Sequence, residues 1–195
     1  MKNLIYKIIS FLLLIILSPL FLLILIVVKL TSQGPFIFKQ KRLGKDKKPF
    51  NLYKIRTMVE NAETLKKKYQ HLNEISGPVF KIRDDPRYTK IGRFLSHTGL
   101  DELPQLINVL KGEMSFVGPR PLPVDEAIKI PAKYDKRFSV LPGMTSSWIV
   151  HGAHNLSFNE WMGLDLQYVK KHFLFDDVKI IFLTIILILK LIFKR

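Results

Sequence analysis

The chain has 195 residues, enough for one domain, and carries 31 lysines and arginines against 16 aspartates and glutamates, a formal net charge of +15. It contains no cysteine, which excludes disulfides and thiolate metal sites. A balance this basic suits nucleic acid, anionic lipid or phosphorylated substrates, and charge alone does not choose among them.

The N-terminus does. Leu4 to Val28 is almost unbroken Leu, Ile, Val and Phe, long enough to cover the about 20 apolar residues of a spanning helix. Ser18-Pro19 interrupts it. Pro19 has no N–H for the carbonyl of Ile15, and Ser18 is placed to back-bond the carbonyl of Leu14 and deepen the bend. Lys2 and Lys7 precede the run, and Lys29, Lys39, Lys41 and Arg42 follow it, so both ends are predicted to face the cytoplasm. A helix–break–helix that enters and leaves one membrane face fits better than a straight span. A kinked transmembrane helix is the alternative that the pattern leaves open. A cleaved signal peptide fits poorly, because no small-x-small site ends the run.

Gly34-Pro35 signals a turn. Phe36 to Phe38 and Phe50 to Ile55 read as two short strands joined through Gly44-Lys45-Asp46-Lys47-Lys48-Pro49. Lys54 and Arg56 stand two apart on one face of the second strand, a pattern that also describes a solvated strand face. Asn61 to Leu72 is polar and predicted helical, and its Lys66-Lys67-Lys68 run suits solvent or lipid headgroups. From Gly77 to Leu95, Lys81, Arg83, Arg87, Lys90 and Arg93 interleave with Val79, Phe80, Ile82, Ile91 and Phe94, with a turn at Asp85-Pro86. Basic residues among aromatics suit nucleic acid. The attached apolar anchor makes that partner a poor fit, and no nucleic acid is expected.

The stretch Asp101 to Pro121, DELPQLINVLKGEMSFVGPRP, is the richest in the chain. Leu103, Leu106, Ile107 and Leu110 fall on one face of a helix. Asp101 is expected to cap that helix, Pro104 is tolerable in its first turn, and Lys111-Gly112 reads as its stop. Asp101 and Glu102 would then share a helix N-terminus, where negative charge is favoured. Arg120 follows, pinned between Pro119 and Pro121. The group suits acid-assisted chemistry on a phosphate. By itself, the acid pair reads first as a helix cap, and Arg120 can equally satisfy loop carbonyls.

Val124 to Tyr134 is predicted helical, broken by Pro131, and Leu141-Pro142-Gly143 is a tight turn. Residues 144–158 read as irregular. His151 and His154 are spaced for metal binding, but no third ligand type clusters with them, so they read as loop histidines. Asn159 to His172 is predicted helical. The apolar C-terminus, with Lys179, Lys190, Lys194 and Arg195, gives an interfacial helix over Val178 to Phe193, and a second transmembrane span is the alternative. There is no internal repeat.

Taken together, these residues resemble the bacterial sugar transferase family, the small monotopic phosphoglycosyl transferases of the polyprenyl-phosphate sugar-1-phosphate transferase type. The resemblance runs through Ser18-Pro19, Phe38 to Gly44, Phe50 to Met58, Gly77 to Leu95, Leu100 to Pro121, Pro142 to Thr145 and Asp177 to Ile180. It implies transfer of a sugar-1-phosphate from a UDP-sugar to a polyprenyl (undecaprenyl) phosphate, with release of UMP, at the cytoplasmic face of the bacterial inner membrane. It implies Asp101 as the nucleophile that holds the phosphosugar covalently, and Glu102 beside it binding Mg2+ or managing protons. Arg120, with Lys54, Arg56, Lys81, Arg87 and Arg42, would bind phosphate. Physical chemistry agrees. A two-step transfer lets a water-soluble donor and a membrane-bound acceptor use one site in turn, and carboxylates approach an anionic diphosphate only when a divalent cation such as Mg2+ screens them.

The expected fold is α+β and mostly helical, with an N-terminal re-entrant membrane helix, a small β-hairpin and amphipathic interfacial helices. Residues 1–30 form the re-entrant helix, 31–176 the catalytic part and 177–195 the apolar C-terminal helix, all within one domain. The sequence also departs from the family pattern. Ser96 and His97 stand where basic residues are common, Leu141 where a basic residue often precedes Pro-Gly, and Ser146 where Gly is usual. His151-Gly152-Ala153-His154 stands for a loop often written Ser-Gly-Arg-Asn. Each lost charge-assisted hydrogen bond is worth roughly 1.5–3 kcal/mol, so weaker or altered donor binding is expected. A divergent, non-catalytic membrane module that binds polyprenyl phosphate or a partner is the alternative function.

Overall fold

The computed structural model describes residues 2–152, 155–171 and 173–193. The apolar N-terminus forms two helices, α1 (Lys2–Ile16) and α2 (Ser18–Thr31), bent by 58° at the break. Pro19 leaves the carbonyl of Ile15 without its backbone donor, and the Ser18 hydroxyl donates to that oxygen at 2.8 Å. The bond goes to Ile15, not to the expected Leu14. Among the described residues no single helix is long and apolar enough to cross a membrane, but α1 and α2 together meet that length and composition. Leu4, Ile8, Phe11, Leu12, Ile16, Leu22, Leu23 and Leu30 are all exposed, an apolar surface of the kind that lipid covers. The inner side is tied down. Ser10 is fully buried and donates to the carbonyl of Leu106 at 2.6 Å, while Ile24 and Val28 pack with Ile55 and Leu95.

Strands β1 (Ile37–Leu43) and β2 (Pro49–Ile55) form the antiparallel hairpin, with Ile37 opposite Ile55 and Leu43 opposite Pro49. The first strand is longer than Phe36 to Phe38. Its polar Lys39-Gln40-Lys41-Arg42 tract lacks apolar alternation, but it gains a full ladder against Tyr53 to Phe50. The helix expected over Asn61 to Leu72 is broken into α3 (Ala62–Leu65) and a 3-10 turn at Gln70–Leu72. Lys66, between them, turns inward to Glu126 at 3.0 Å and Asp125 at 3.2 Å rather than to solvent or headgroups.

Helix α4 (Lys90–Thr98) begins within the stretch whose charge pattern hid it. Thr89 caps it, accepting from the Gly92 N–H at 2.9 Å, and Gly99 ends it in the left-handed region at φ 72°. A Cβ on Gly92 would collide with the backbone carbonyl of Thr57, so glycine sets how closely α4 approaches the hairpin's exit. Asp101 does not cap a helix. Leu100–Glu102 is a 3-10 turn, and α5 (Gln105–Lys111) starts after Pro104 with no side-chain cap. The charge of the acids is therefore countered by cations and not by a helix end.

A second small sheet, absent from the sequence reading, pairs β3 (Ser115–Val117) in parallel with β4 (Gly143–Thr145). Helix α6 (Val124–Ala127) stops early, and beyond Pro131 a 3-10 stretch, Ala132–Ser139, replaces its expected continuation. The stretch read as irregular contains α7 (Ser147–Val150). A Ser157–Glu160 capping box starts α8 (Phe158–Lys170), and α9 spans Leu174–Phe193. The main core gathers Leu122, Tyr134, Phe138, Trp148, Phe158 and Trp161. Among the described residues the fold is thus mostly helical with two small two-stranded sheets.

Asp177, buried at the start of α9, joins the chain's two ends. Tyr6 donates to it at 2.6 Å, Lys2 pairs with it at 2.5 Å, and the Tyr168 hydroxyl lies 2.8 Å away. Farther along α9, Thr184 donates to the carbonyl of Ile180 at 2.8 Å. Thr145, 2.6 Å from the Thr184 hydroxyl, must then donate to it. That contact fastens α9 to β4.

Candidate active site

The tight turn after Gly99 carries Asp101 and Glu102, and β2 sends Lys54 between them. The Lys54 ammonium lies 3.1 Å from Asp101 Oδ2 and 2.9 Å from Glu102 Oε1. Arg120 Nη2 donates to the same Glu102 oxygen at 2.8 Å. Two carboxylates and two cations thus form one partly desolvated cluster.

Three side chains hold this cluster in place. Asn108 of α5 is fully buried. Its Oδ1 accepts from the Tyr53 N–H at 3.1 Å and its Nδ2 donates to the Asn51 carbonyl at 2.7 Å, which fixes β2 on either side of Leu52, next to Lys54. Arg137 donates to the carbonyl of Arg120 at 2.8 Å and to Asp165 at 2.7 Å. It thereby braces the Pro119-Arg120-Pro121 loop from behind. The sequence reading missed all three. The available signal was a polar residue on a helix face otherwise built for burial: Asp165 sits among Trp161, Met162 and Tyr168 of α8, where an acid needs a buried cation.

The two acids are pushed in opposite directions. Burial raises the Asp101 carboxyl above its usual range, against the pull of Lys54. Burial acts on Glu102 as well, but Arg120 and then Lys54 outweigh it and hold Glu102 well below the carboxylate range. Lys54 is also desolvated, yet Asp101 and Glu102 keep its ammonium firmly charged. Neighbouring titratable groups driven apart in this way are a mark of functional sites.

The cluster borders a cavity of about 980 Å³, whose wall includes Lys54, Glu102, Arg120, Arg42, Lys81 and Tyr88. Asp101 lies just behind that wall and is 2% exposed. Arg42 donates to the Pro121 carbonyl at 2.8 Å. Burial, then the nearby Arg120, push its guanidinium down to about 10. Lys81 rests 4.5 Å over the Trp148 ring, and burial, with Arg120 next, pushes its ammonium down to about 8. The structure therefore gathers Asp101, Glu102, Lys54, Arg120, Arg42 and Lys81. It does not bring in Arg56, which lies past the end of β2 and donates to the Ser32 carbonyl at 3.1 Å. Nor does it bring in Arg87, which pairs with Asp85 at 2.6 Å and donates to the Ala62 carbonyl at 3.0 Å.

Several of the positions that depart from the family pattern have local partners. The Ser96 hydroxyl lies 2.8 Å from that of Tyr88, and both line the cavity. His97 Nε2 is 3.0 Å from the Arg83 carbonyl. Ser146 accepts from the Ile149 N–H to cap α7. His151 Nδ1 is 2.7 Å from the Ser147 carbonyl, and Ala153 and His154 lie outside the described residues. Among the described residues no three His, Asp or Glu side chains cluster for a metal. Two adjacent carboxylates nevertheless fit Mg2+, which commonly takes one or two protein carboxylates and completes its shell with water and substrate phosphates.

A family model described as "Bacterial sugar transferase" matches residues 1–191. The chain is 45% identical over 157 residues to "Galactosyl transferase CpsE" of Streptococcus agalactiae, covering 80% of this chain and 35% of that protein. It is 40% identical to "Undecaprenyl-phosphate galactose phosphotransferase" of Salmonella typhimurium, covering 93% of this chain and 39% of the relative. It is 36% identical to "Exopolysaccharide production protein ExoY" of Sinorhizobium fredii, covering 91% of this chain and 80% of that protein. The chain thus spans little more than a third of the first two relatives and most of the third.

Proposed function

Since the chain belongs to the bacterial sugar transferase family, we propose that it moves a sugar-1-phosphate from a UDP-sugar to a polyprenyl phosphate at the cytoplasmic face of the bacterial inner membrane. The observation that carries this reading is the Asp101–Glu102 pair, bound by Lys54 and Arg120 at the edge of a large cavity.

An Asp101 oxygen attacks the sugar-bearing phosphorus of the donor. A P–O bond to Asp101 forms, the bond to the bridging oxygen breaks, and UMP leaves with the electron pair. An oxygen of the polyprenyl phosphate then attacks the same phosphorus. The P–O bond to Asp101 breaks, the carboxylate is restored, and a polyprenyl diphosphate-sugar departs. Lys54 opposes the burial that raises the Asp101 carboxyl and is drawn toward the incoming phosphate as the carboxylate turns to the cavity. Arg120, held by Glu102 and braced by Arg137, grips phosphate oxygens, for which a guanidinium fork is well shaped. Lys81 and Arg42 add positive charge on the same wall. Mg2+ bound by Asp101 and Glu102 would screen the diphosphate and stabilise the departing phosphate. The bent α1–α2 pair is re-entrant in this account, so the exposed apolar faces of α1, α2 and α9 hold the cluster at headgroup depth, where a lipid phosphate resides.

The test is UMP release in detergent from a panel of UDP-sugars with undecaprenyl phosphate, and absence of UMP with every donor contradicts the reading. The alternative, a module that binds polyprenyl phosphate without turnover, draws on the burial of Asp101 behind Lys54. Retained lipid binding without UMP release would favour it.

A further inference from the structure

The cavity at the acid pair continues along α9. Its lining there includes Leu187 and the residues Ile181, Thr184, Ile185, Ile188 and Leu191, which follow one another at helical spacing and make a single stripe. Phe94 of α4 and Ile149 of α7 also line the cavity. A helix stripe turned toward its own protein normally packs to interior density. Here only the first turns of α9 do so: Asp177 and Ile180 are buried, Thr184 and Ile188 are half-buried, and Ile185 and Leu191 are exposed. The rest of the stripe borders open space.

The cavity changes character along its length. At one end stand Arg120, Arg42 and Lys81, and neither Arg42 nor Lys81 has a carboxylate partner among the described residues. The Thr145–Thr184 hydroxyl pair follows. Beyond it the α9 wall is aliphatic and opens beside side chains that are themselves exposed and apolar, including Leu189 and Phe182. An occupant needs one anionic head and a long apolar tail. A nucleotide sugar, polar throughout, gains nothing from the aliphatic end.

We infer that the α9 stripe is the channel for the isoprenoid chain of the acceptor, with the lipid phosphate at Arg120, Lys81 and Arg42 and the first isoprene units against Ile181, Ile185 and Ile188. The inference rests on the proposed function and adds to it where the tail lies. Helix α9 is then a wall of the acceptor site as well as a surface anchor. Short prenyl phosphates that end before Ile188 lose affinity relative to undecaprenyl phosphate, while use of the UDP-sugar is unchanged.

The chain has no native cysteine, so single thiols report cleanly. Ile188→Cys places a thiol on the channel wall, and Leu189→Cys places one on the neighbouring, outward face. Maleimide modification of both is timed in detergent with and without undecaprenyl phosphate, with inorganic phosphate as the headgroup control. The expected result is roughly tenfold slowing at Ile188→Cys when the lipid is at about ten times its dissociation constant, with little change at Leu189→Cys or with inorganic phosphate. Unchanged modification at Ile188→Cys, or equal slowing at both positions, overturns the channel. Ile185→Cys reads the same wall if the first variant does not fold. UMP release by the unmodified protein separates the two claims. Turnover without protection sinks the channel alone, and protection without UMP from any donor sinks the transferase reading alone.

Discussion

The Lys54 ammonium lies 3.1 Å from the carboxylate of Asp101, which is buried to 2% exposure and has Glu102 as its acidic neighbour. A lone carboxylate there would take up a proton, because burial and a like charge both disfavour its ionised form. Lys54 is the counterweight, and several consequences of the account follow from it.

Replacing Lys54 with Met leaves Asp101 without its partner. Burial already raises the Asp101 carboxyl, so without Lys54 it rises further, and a smaller fraction is ionised at any given pH. The acid limb of a kcat/KM profile then moves to higher pH. Breaking one side of a buried ion pair also costs about 3–5 kcal/mol of stability, and activity at neutral pH falls with the ionised fraction of Asp101. Lys54→Arg keeps the charge and recovers part of it. A pH–rate profile of the three proteins checks the order.

Arg137 and Asp165 are the next point of leverage. Both are at most 2% exposed, and Arg137 also holds the Arg120 carbonyl. Asp165→Asn destabilises by about 3–5 kcal/mol, as for a buried charge left alone. The double change Arg137→Met with Asp165→Leu recovers much of that stability, because it removes both charges. It does not restore kcat, because Arg120 has lost its brace. Denaturant midpoints and kcat measured on the same samples separate the two roles.

Lys81 gives a second pH dependence. Its ammonium is pushed down to about 8, first by burial and then by Arg120. It therefore loses its proton as pH rises through about 8, and phosphate binding weakens above that point. The KM for the donor rises there in the native protein and stays flat in Lys81→Arg, whose guanidinium remains charged across this range.

How much of this was legible in the sequence varied with the kind of signal. The bend at Ser18-Pro19, the hairpin and the Gly112 stop were readable, because proline, strand alternation and glycine each act through local geometry. Helix α4 was missed, since its apolar stripe is diluted by Lys90, Arg93 and His97 and is completed by packing of Ile91 and Leu95 on α2 and Ile55. The parallel β3–β4 pair was invisible for another reason. Three-residue strands far apart in the chain leave no periodicity to read. The acid pair was found, but its partner was misjudged: a helix end was expected, and the structure supplies Lys54 and Arg120. Arg56 and Arg87 carry the right charge for phosphate, yet each is spent on a neighbour, Ser32 or Asp85, that spacing does not reveal.

The N-terminal helices make a topological prediction. If α1 and α2 enter and leave one face, thiols introduced as Lys2→Cys and Ser32→Cys are both labelled from the cytoplasmic side of inverted and right-side-out vesicles. Label at Lys2→Cys that is accessible only from the periplasmic side contradicts the re-entrant account. Pro19→Ala returns the missing N–H to the carbonyl of Ile15 and relaxes the 58° bend, which shifts part of the population toward a span.

The central claim is that Asp101 carries the phosphosugar. The protein is mixed with an active UDP-sugar in the absence of polyprenyl phosphate and its mass is measured intact and after digestion. The account predicts a mass increase of one phosphosugar on the peptide containing Asp101, loss of that increase when undecaprenyl phosphate is added, and none in Asp101→Asn. Steady turnover with no adduct on that peptide, or full activity in Asp101→Asn, contradicts it.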